Sequence, residues 1–147
     1  VEAAQEMQKK ELSFSKKAGE ELEVFNKALT DIVNTSFQVF ATEDKKLAAT
    51  VEPLEEVIDF LNEEIKKRHI KRLRKGKCTI EMGFVLSDIT TSYERIADHC
   101  SNIAVAMLQI EEDIFDTHEY MISLKQVNGE EFDRAVMQIK ENYVLPE

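Results

Sequence analysis

The sequence predicts an all-α fold, an up-down bundle of three long antiparallel helices followed by short C-terminal helices. Apolar residues recur at steps of three and four along most of the 147 residues, which is the pattern of helices packed in a bundle. Four Gly and two Pro leave few breaks, so long elements are expected. With 43% hydrophobic and 33% charged residues, the chain is ordinary for one helical domain covering residues 1–147.

The first helix is predicted over residues 3–41. Its apolar residues, from Met7 to Phe40, lie mostly on one stripe between Lys and Glu. Gly19 is a tolerated weak point within it. We therefore expect one continuous helix, with its first turns projecting beyond the bundle.

The second helix is predicted over residues 43–75, with Thr42 as its N-cap. Pro53 lies inside this segment and leaves two interpretations open. The helix is kinked near Ala49, or it begins at Pro53. An apolar seam that runs unbroken through Leu47 favours the kinked helix.

The third helix is predicted over residues 79–113, starting at Thr79, with Ile96 and Ile103 on its buried seam. Two short helices should follow. The first, over residues 117–128, opens with a capping box at residues 116–119, and the second covers residues 130–143. They are expected to close one open side of the core.

Two pairs of acids share a four-residue spacing, Glu94 with Asp98 and Glu55 with Asp59. Both pairs fall outside the apolar seams, so we expect them on outer faces. Like charges four apart cost a few tenths of a kcal/mol of helix stability, and a bound cation would reverse that sign. Hard cations need several oxygens, so two pairs on neighbouring helices would bind better than one. The alternative is a solvated acidic face.

Residues 66–77 contain eight Lys or Arg and no acid. The helix dipole and a C-cap at Gly76 account for two or three of these cations. The surplus predicts contact with anionic lipid headgroups or with an acidic surface of a membrane protein. The net charge of -10 argues against nucleic acid as a general partner, because it repels phosphates. For the basic run itself nucleic acid is the weaker alternative, since no aromatic residue interleaves it to stack bases. The predicted contact residues are Lys66, Lys67, Arg68, Lys71, Arg72, Arg74, Lys75 and Lys77.

Catalysis is not expected. None of the three His follows a Glu by three residues, as a di-iron bundle requires, and there is no Gly-rich phosphate loop or nucleophile motif. We expect His69 on the surface and His99 packed near the core. Cys78 and Cys100 should lie roughly 33 Å apart along the third helix, too far for a disulfide. Unpaired thiols indicate a reducing compartment.

The longest apolar run is too short to cross a bilayer, and no signal peptide is recognisable. The isolated chain is therefore expected to be soluble. It opens at Val1 directly into a helical pattern, which suggests a segment of a longer protein.

The segment from Glu94 to His99, followed by Asn-Ile-Ala at 102–104, resembles the signature of the PhoU family, the helical regulators of bacterial phosphate uptake. The similarity extends upstream through residues 54–61, 68–70 and 76–79. Residues 116–120 are similar to the tail of the PhoU-like domain that follows the membrane segments of bacterial sodium/phosphate cotransporters. The resemblance covers the chain from about residue 42 to residue 125.

This resemblance implies a regulatory PhoU-like domain at the cytoplasmic face of the inner membrane, with the membrane portion of a sodium-dependent phosphate transporter as its partner. It also implies that a metal ion, such as iron, zinc or another divalent cation, is held by Glu55, Asp59, Glu94 and Asp98. PhoU proteins have two three-helix repeats and this chain has one, so a site between repeats would require a homodimer. The alternatives are a protein-interaction module and a stand-alone phosphate-signalling regulator without metal.

Overall fold

A computed structural model describes residues 2–10, 12–109 and 129–147 of the chain. Within these ranges the regular structure is helical throughout, which confirms the predicted all-α fold. The helices are α1 (Glu2–Lys9), α2 (Lys16–Thr42), α3 (Lys45–Ala48), α4 (Val51–Arg74), α5 (Ile80–Gln109) and α6 (Gly129–Lys140). None of them is long and apolar enough to cross a membrane.

The core lies between α2, α4 and α5, each of which packs against the other two. Phe25 of α2, Ile58 and Leu61 of α4, and Leu86 of α5 are completely or almost completely buried there. Helix α6 packs against α4, and Tyr143 beyond it joins the same apolar cluster. The three-helix bundle is therefore closed on one side by the C-terminal helix.

The predicted continuous first helix, over residues 3–41, is wrong, because the chain is interrupted between α1 and α2. Ser15 has extended backbone angles (φ -61°, ψ 156°), and its Oγ accepts a hydrogen bond from the Ala18 N–H at 3.3 Å. A serine that satisfies a first-turn N–H in this way starts a helix better than it continues one. The apolar pattern did not show this break, because the apolar residues keep their helical spacing across it.

The second predicted helix, over residues 43–75, is also two helices. Asp44 is the N-cap of α3, with its Oδ1 accepting from the Lys46 N–H at 2.9 Å, so the prediction of Thr42 as the cap is wrong. The interruption predicted near Ala49 is present as a complete break. Helix α4 then begins two residues before Pro53, which tolerates that position because first-turn N–H groups have no intrahelical partner.

The junction between α4 and α5 confirms both predicted caps. Gly76 has φ +63°, its N–H donates to the Leu73 carbonyl at 3.0 Å, and the Lys77 N–H donates to the Arg72 carbonyl at 2.9 Å. This is a Schellman motif, which a glycine accommodates without strain. Thr79 Oγ1 then accepts from the Met82 N–H at 3.3 Å and starts α5.

The C-terminal predictions are confirmed in part. The last helix, predicted over residues 130–143, is α6 and ends three residues earlier, at Lys140. The predicted end of the third helix at residue 113, the capping box at 116–119 and the helix over 117–128 lie outside the described residues.

The buried seam of α5 is rotated by about one residue from its predicted position. Ile96 and Ile103, predicted in the core, are 40% and 42% exposed, whereas Ala97 and Ala104 are buried. Because α5 packs against both α2 and α4, small residues on the contact line allow a closer approach of the helices. The rotation turns Glu94, three residues before Ala97, toward α4.

Candidate functional site

The four predicted acids lie on the facing sides of α4 and α5, and we call Glu55, Asp59, Glu94 and Asp98 the acidic cluster. Glu55 is only 9% exposed, Asp59 and Glu94 are half-buried, and Asp98 is exposed. The prediction that all four project from outer faces is therefore correct only for Asp98. The condition that the two pairs lie on facing sides of neighbouring helices is met, because the charge of Asp98 acts on Glu55 and that of Glu94 acts on Asp59 across the helix boundary.

The cluster is electrostatically strained. Burial, followed by the charge of Asp59, raises the pKa of Glu55 to about 8. Burial, followed by the charges of Glu94 and Asp98, raises the pKa of Asp59 to about 6. At neutral pH the Glu55 carboxyl is therefore mostly protonated.

Sequence reasoning missed the polar residues that accompany these acids. Asn62 Nδ2 donates to Glu94 Oε2 at 2.5 Å, and Ser101 Oγ donates to Glu52 Oε2. The spacing of polar residues in the sequence could have predicted them. Polar residues follow at steps of three and four along α4, at Glu52, Glu55, Asp59, Asn62 and Lys66, and along α5 at Glu94, Asp98 and Ser101.

Carboxylate oxygens are the donors that hard cations prefer, so the residues fit a cation chemically. The buried Asp59 Oδ1 also finds no hydrogen-bond partner among the described groups. Within the same ranges, however, no three His, Cys, Asp or Glu side chains are arranged so that they could hold a metal ion. The acidic cluster therefore has the negative charge of a cation site, but its side chains are not arranged around a common point as metal ligands are.

The predicted basic contact surface is divided into two parts. Arg72 Nη1 lies 2.8 Å and Arg68 Nη1 lies 3.5 Å from Oε1 of Glu21, which is 2% exposed. Arg68 also donates to the carbonyl of Pro146. The prediction that these two arginines belong to a contact surface is wrong, because they hold α2 and the C-terminal tail against α4.

The remaining cations are at the surface. Lys67 pairs with Glu63 and Glu64 at 3.1 and 3.2 Å, and Lys66 approaches Glu94 at 3.9 Å. The others are exposed and form no ion pair within the described part of the chain. We call these four, at the C-terminal end of α4, the cationic end: Lys71, Arg74, Lys75 and Lys77.

Both histidine predictions are wrong. His99 is exposed, as the rotation of α5 requires. His69 is buried, because it continues the buried seam of α4 four residues after Ile65. A Cβ on Gly83 would lie 2.9 Å from His69 Nε2, so the glycine makes room for the ring. Burial, reinforced by the charge of Arg72, lowers the pKa of His69.

The sequence of the core helices matches a known protein family. The family model of the PhoU domain matches residues 24–107, from α2 to α5. The phosphate-specific transport system accessory protein PhoU homolog 1 of Thermotoga maritima is 30% identical over 80 residues. The matched region is 54% of this chain and 34% of the relative, so the chain spans about a third of the relative's length. No solved structure matches the chain.

Proposed function

Because the chain belongs to the PhoU family, we propose that it is a non-catalytic regulatory domain of phosphate transport, and specifically the cytoplasmic PhoU-like domain of a sodium-dependent phosphate transporter. The regulatory role is supported by the extent of the family match, which covers α4 and most of α2 and α5 and not only the short motif in α5. The assignment to a transporter is supported by residues 116–120, which are similar to the tail of the cotransporter domains.

The cationic end is the surface proposed to contact the membrane portion of the transporter and the anionic headgroups around it. Its four cations lie at one end of α4 in a chain with a net charge of -10. Each Lys or Arg near an anionic surface contributes about 1 kcal/mol, which salt screens. The acidic remainder of the domain would be repelled, so this end faces the inner leaflet.

The acidic cluster is proposed to bind a metal ion such as iron, zinc or another divalent cation. The raised pKa values of Glu55 and Asp59 and the unpartnered Asp59 Oδ1 support this. Glu55, on release of its proton, and Asp59 would hold the ion from α4, and Glu94 and Asp98 from α5. The ion would supply positive charge that neutralises the mutual repulsion of the carboxylates.

A second copy of the chain is proposed to cover the apolar face between the C-terminal halves of α2 and α5. Phe37 and Phe40, predicted in the core stripe, are 71% and 66% exposed and border a groove of about 260 Å³ together with Ile103. Residues 32–42 and 99–109 contain no Asp, Glu, Lys or Arg. Two copies of an acidic chain can meet at such an uncharged face with little repulsion.

A stand-alone regulator is the second candidate, favoured by the relative whose printed name describes an accessory protein. The test uses the intact parent protein, in which sodium-driven uptake of radiolabelled phosphate is measured in membrane vesicles with and without residues 1–147. A transporter domain predicts that uptake persists and that its response to phosphate supply is lost on deletion. A parent reading frame without membrane-spanning segments would reject the transporter assignment and leave the stand-alone regulator.

A further inference from the structure

A pocket of about 350 Å³ lies where the turn between α1 and α2 meets the start of α5. Residues 12–15, His69 and Arg72 of α4, and residues 77–79 form most of its wall. Its volume is within the range of small-molecule sites in proteins. Arg72 follows Asp59 by thirteen positions along α4, about 20 Å at 1.5 Å per residue, so the pocket is distinct from the acidic cluster.

The pocket is positively charged in an acidic protein. Arg72 and Lys77 line it, and none of the described residues lining it is a carboxylate. His69 adds a polar ring that is neutral at pH 7, because its pKa is lowered. Glu21, which pairs with Arg72, also lies 3.5 Å from Arg68, so the charge of Arg72 is only partly compensated.

Several hydrogen-bond donors around the pocket are unused. Arg72 Nη1 is bound to Glu21, and its Nη2 has no hydrogen-bond partner in the part of the chain that the structure describes but is buried, so Arg72 offers its charge at the pocket wall and would offer Nη2 only after a change of its side-chain conformation. The hydroxyl oxygens of Ser15 and Thr79 accept from backbone N–H groups, which leaves each hydroxyl proton free to donate. The same two residues start α2 and α5, so the positive ends of two long helix dipoles also meet here.

We propose that this pocket binds a phosphate monoester, with its phosphate at Arg72 and Lys77 and its organic body against the apolar wall. A phosphate monoester carries a charge of about -2 at pH 7 and three acceptor oxygens, which match the two cations and the free donors better than a carboxylate does. Phe14 and Met82 contribute the apolar wall. This inference rests on the pocket and does not depend on the proposed role in transport.

The test is a titration of the ¹⁵N-labelled chain with phenyl phosphate at low salt, followed by amide chemical shifts. Inorganic phosphate, benzoate and vesicles containing phosphatidylglycerol are titrated in parallel, to separate the ester from the free anion, the carboxylate and the lipid headgroup. We expect saturable shifts concentrated at residues 13–18 and 77–82. Phenyl phosphate should bind about tenfold more tightly than inorganic phosphate, which has no apolar body, and than benzoate, which has a single charge and two acceptor oxygens.

Matched variants make the test specific. Lys77→Ala should weaken binding of phenyl phosphate about tenfold, whereas Lys75→Ala, which removes the same charge two residues away and outside the pocket, should leave it unchanged. Ser13 lies in the turn between α1 and α2 with an exposed side chain, so Ser13→Trp should obstruct the pocket without loss of helix content.

Equal weakening by Lys75→Ala would overturn the site in favour of a diffuse cationic surface. Equal affinity for inorganic phosphate would overturn the assignment to an ester. Binding to vesicles without a saturable response to phenyl phosphate would reject the pocket as a small-molecule site.

Discussion

Arg72 and Glu21 form an ion pair of 2.8 Å across the boundary between α4 and α2, and the Glu21 carboxylate is almost completely shielded from water. The pair is 51 residues apart in sequence and joins the C-terminal end of α4 to the first turns of α2. Part of the basic run is therefore engaged in internal structure, and the exposed remainder is the part that can contact a membrane or a protein partner.

Removal of one member of this pair should be strongly destabilising. Arg72→Ala leaves Glu21 as a buried carboxylate whose remaining cationic partner among the described residues is Arg68 at 3.5 Å, and we expect a loss of about 3–5 kcal/mol in the free energy of unfolding. Glu21→Leu combined with Arg72→Met should recover most of that loss, because neither charge remains. Urea denaturation measures both. Lys16→Ala, at an exposed ion pair, is the control, and an equal effect of Lys16→Ala and Arg72→Ala would contradict the prediction.

The acidic cluster should make stability fall as pH rises. The folded pKa values of Glu55 and Asp59, about 8 and about 6, lie above the ordinary values of 4.5 and 3.8. At a pH between the ordinary and the folded value of each group, the folded state therefore binds more protons than the unfolded state. This contribution is fully present below about pH 4 and is lost as pH rises through 6 and 8. Glu55→Gln should therefore stabilise the protein more at pH 8 than at pH 5.

Urea denaturation at pH 5, 6, 7 and 8 checks this prediction. Glu130→Gln serves as the control, because its side chain is 94% exposed on α6. If the difference in unfolding free energy between Glu55→Gln and the wild type does not change with pH, the Glu55 carboxyl is not protonated in the fold.

The sequence predicted which helices would meet but not how each one is rotated. On α5, Ile96 and Ile103 repeat at a spacing of seven, as do Ala97 and Ala104. Hydropathy predicts that the isoleucines face the core. The alanines face it instead, because α5 packs against two helices at once and smaller residues allow the closer approach.

The spacing of the acids showed that each pair shares one helix face, and whether the two faces meet depended on the packing of α4 against α5. The burial of Glu55 depends on how the helices are rotated, so the spacing of the acids could not predict it. The break before Ser15 and the cap at Asp44 were missed for a different reason, since both residues act through local hydrogen bonds that leave the apolar stripe intact.

Metal binding by the acidic cluster should raise the melting temperature. A cation bound only by the folded state stabilises it by mass action, and it also removes the repulsion that, after burial, raises the pKa values of Glu55 and Asp59. Glu94→Gln combined with Asp98→Asn should keep the fold and lose the metal-dependent shift. Thermal melts with iron, zinc, nickel and magnesium, together with elemental analysis, measure this.

The matched control is Glu130→Gln with Glu131→Gln, which removes the same charge from α6. Its metal response should equal that of the wild type. If the wild type shows neither stoichiometric metal nor a thermal shift, the cluster is a pH-responsive surface and the interaction module without metal is favoured.

The cationic end should bind anionic vesicles. Lys71→Glu with Arg74→Glu and Lys75→Glu reverses three exposed charges, each contributing about 1 kcal/mol near an anionic surface, so co-sedimentation at low salt should be abolished. Added salt should weaken wild-type binding in the same way. A control that reverses Lys9, Lys16 and Lys46 has the same net charge and should still bind. Equal loss in both variants would show that net charge, not this end, governs binding.

The uncharged face of α2 and α5 should hold two copies of the chain together. Phe37→Ser with Phe40→Ser removes two large apolar side chains from the proposed contact, and burial of each is worth about 1.5–3 kcal/mol, enough to dissociate a dimer of ordinary affinity. Because these side chains are 71% and 66% exposed, helix content and melting temperature should change little.

Phe84→Ser is the matched control, since Phe84 is also 66% exposed but lies outside this face. Sedimentation equilibrium should give a dimer for the wild type and for Phe84→Ser, and a monomer for the double variant. A wild type that stays monomeric at the highest accessible concentration would reject the second copy as the occupant of this face.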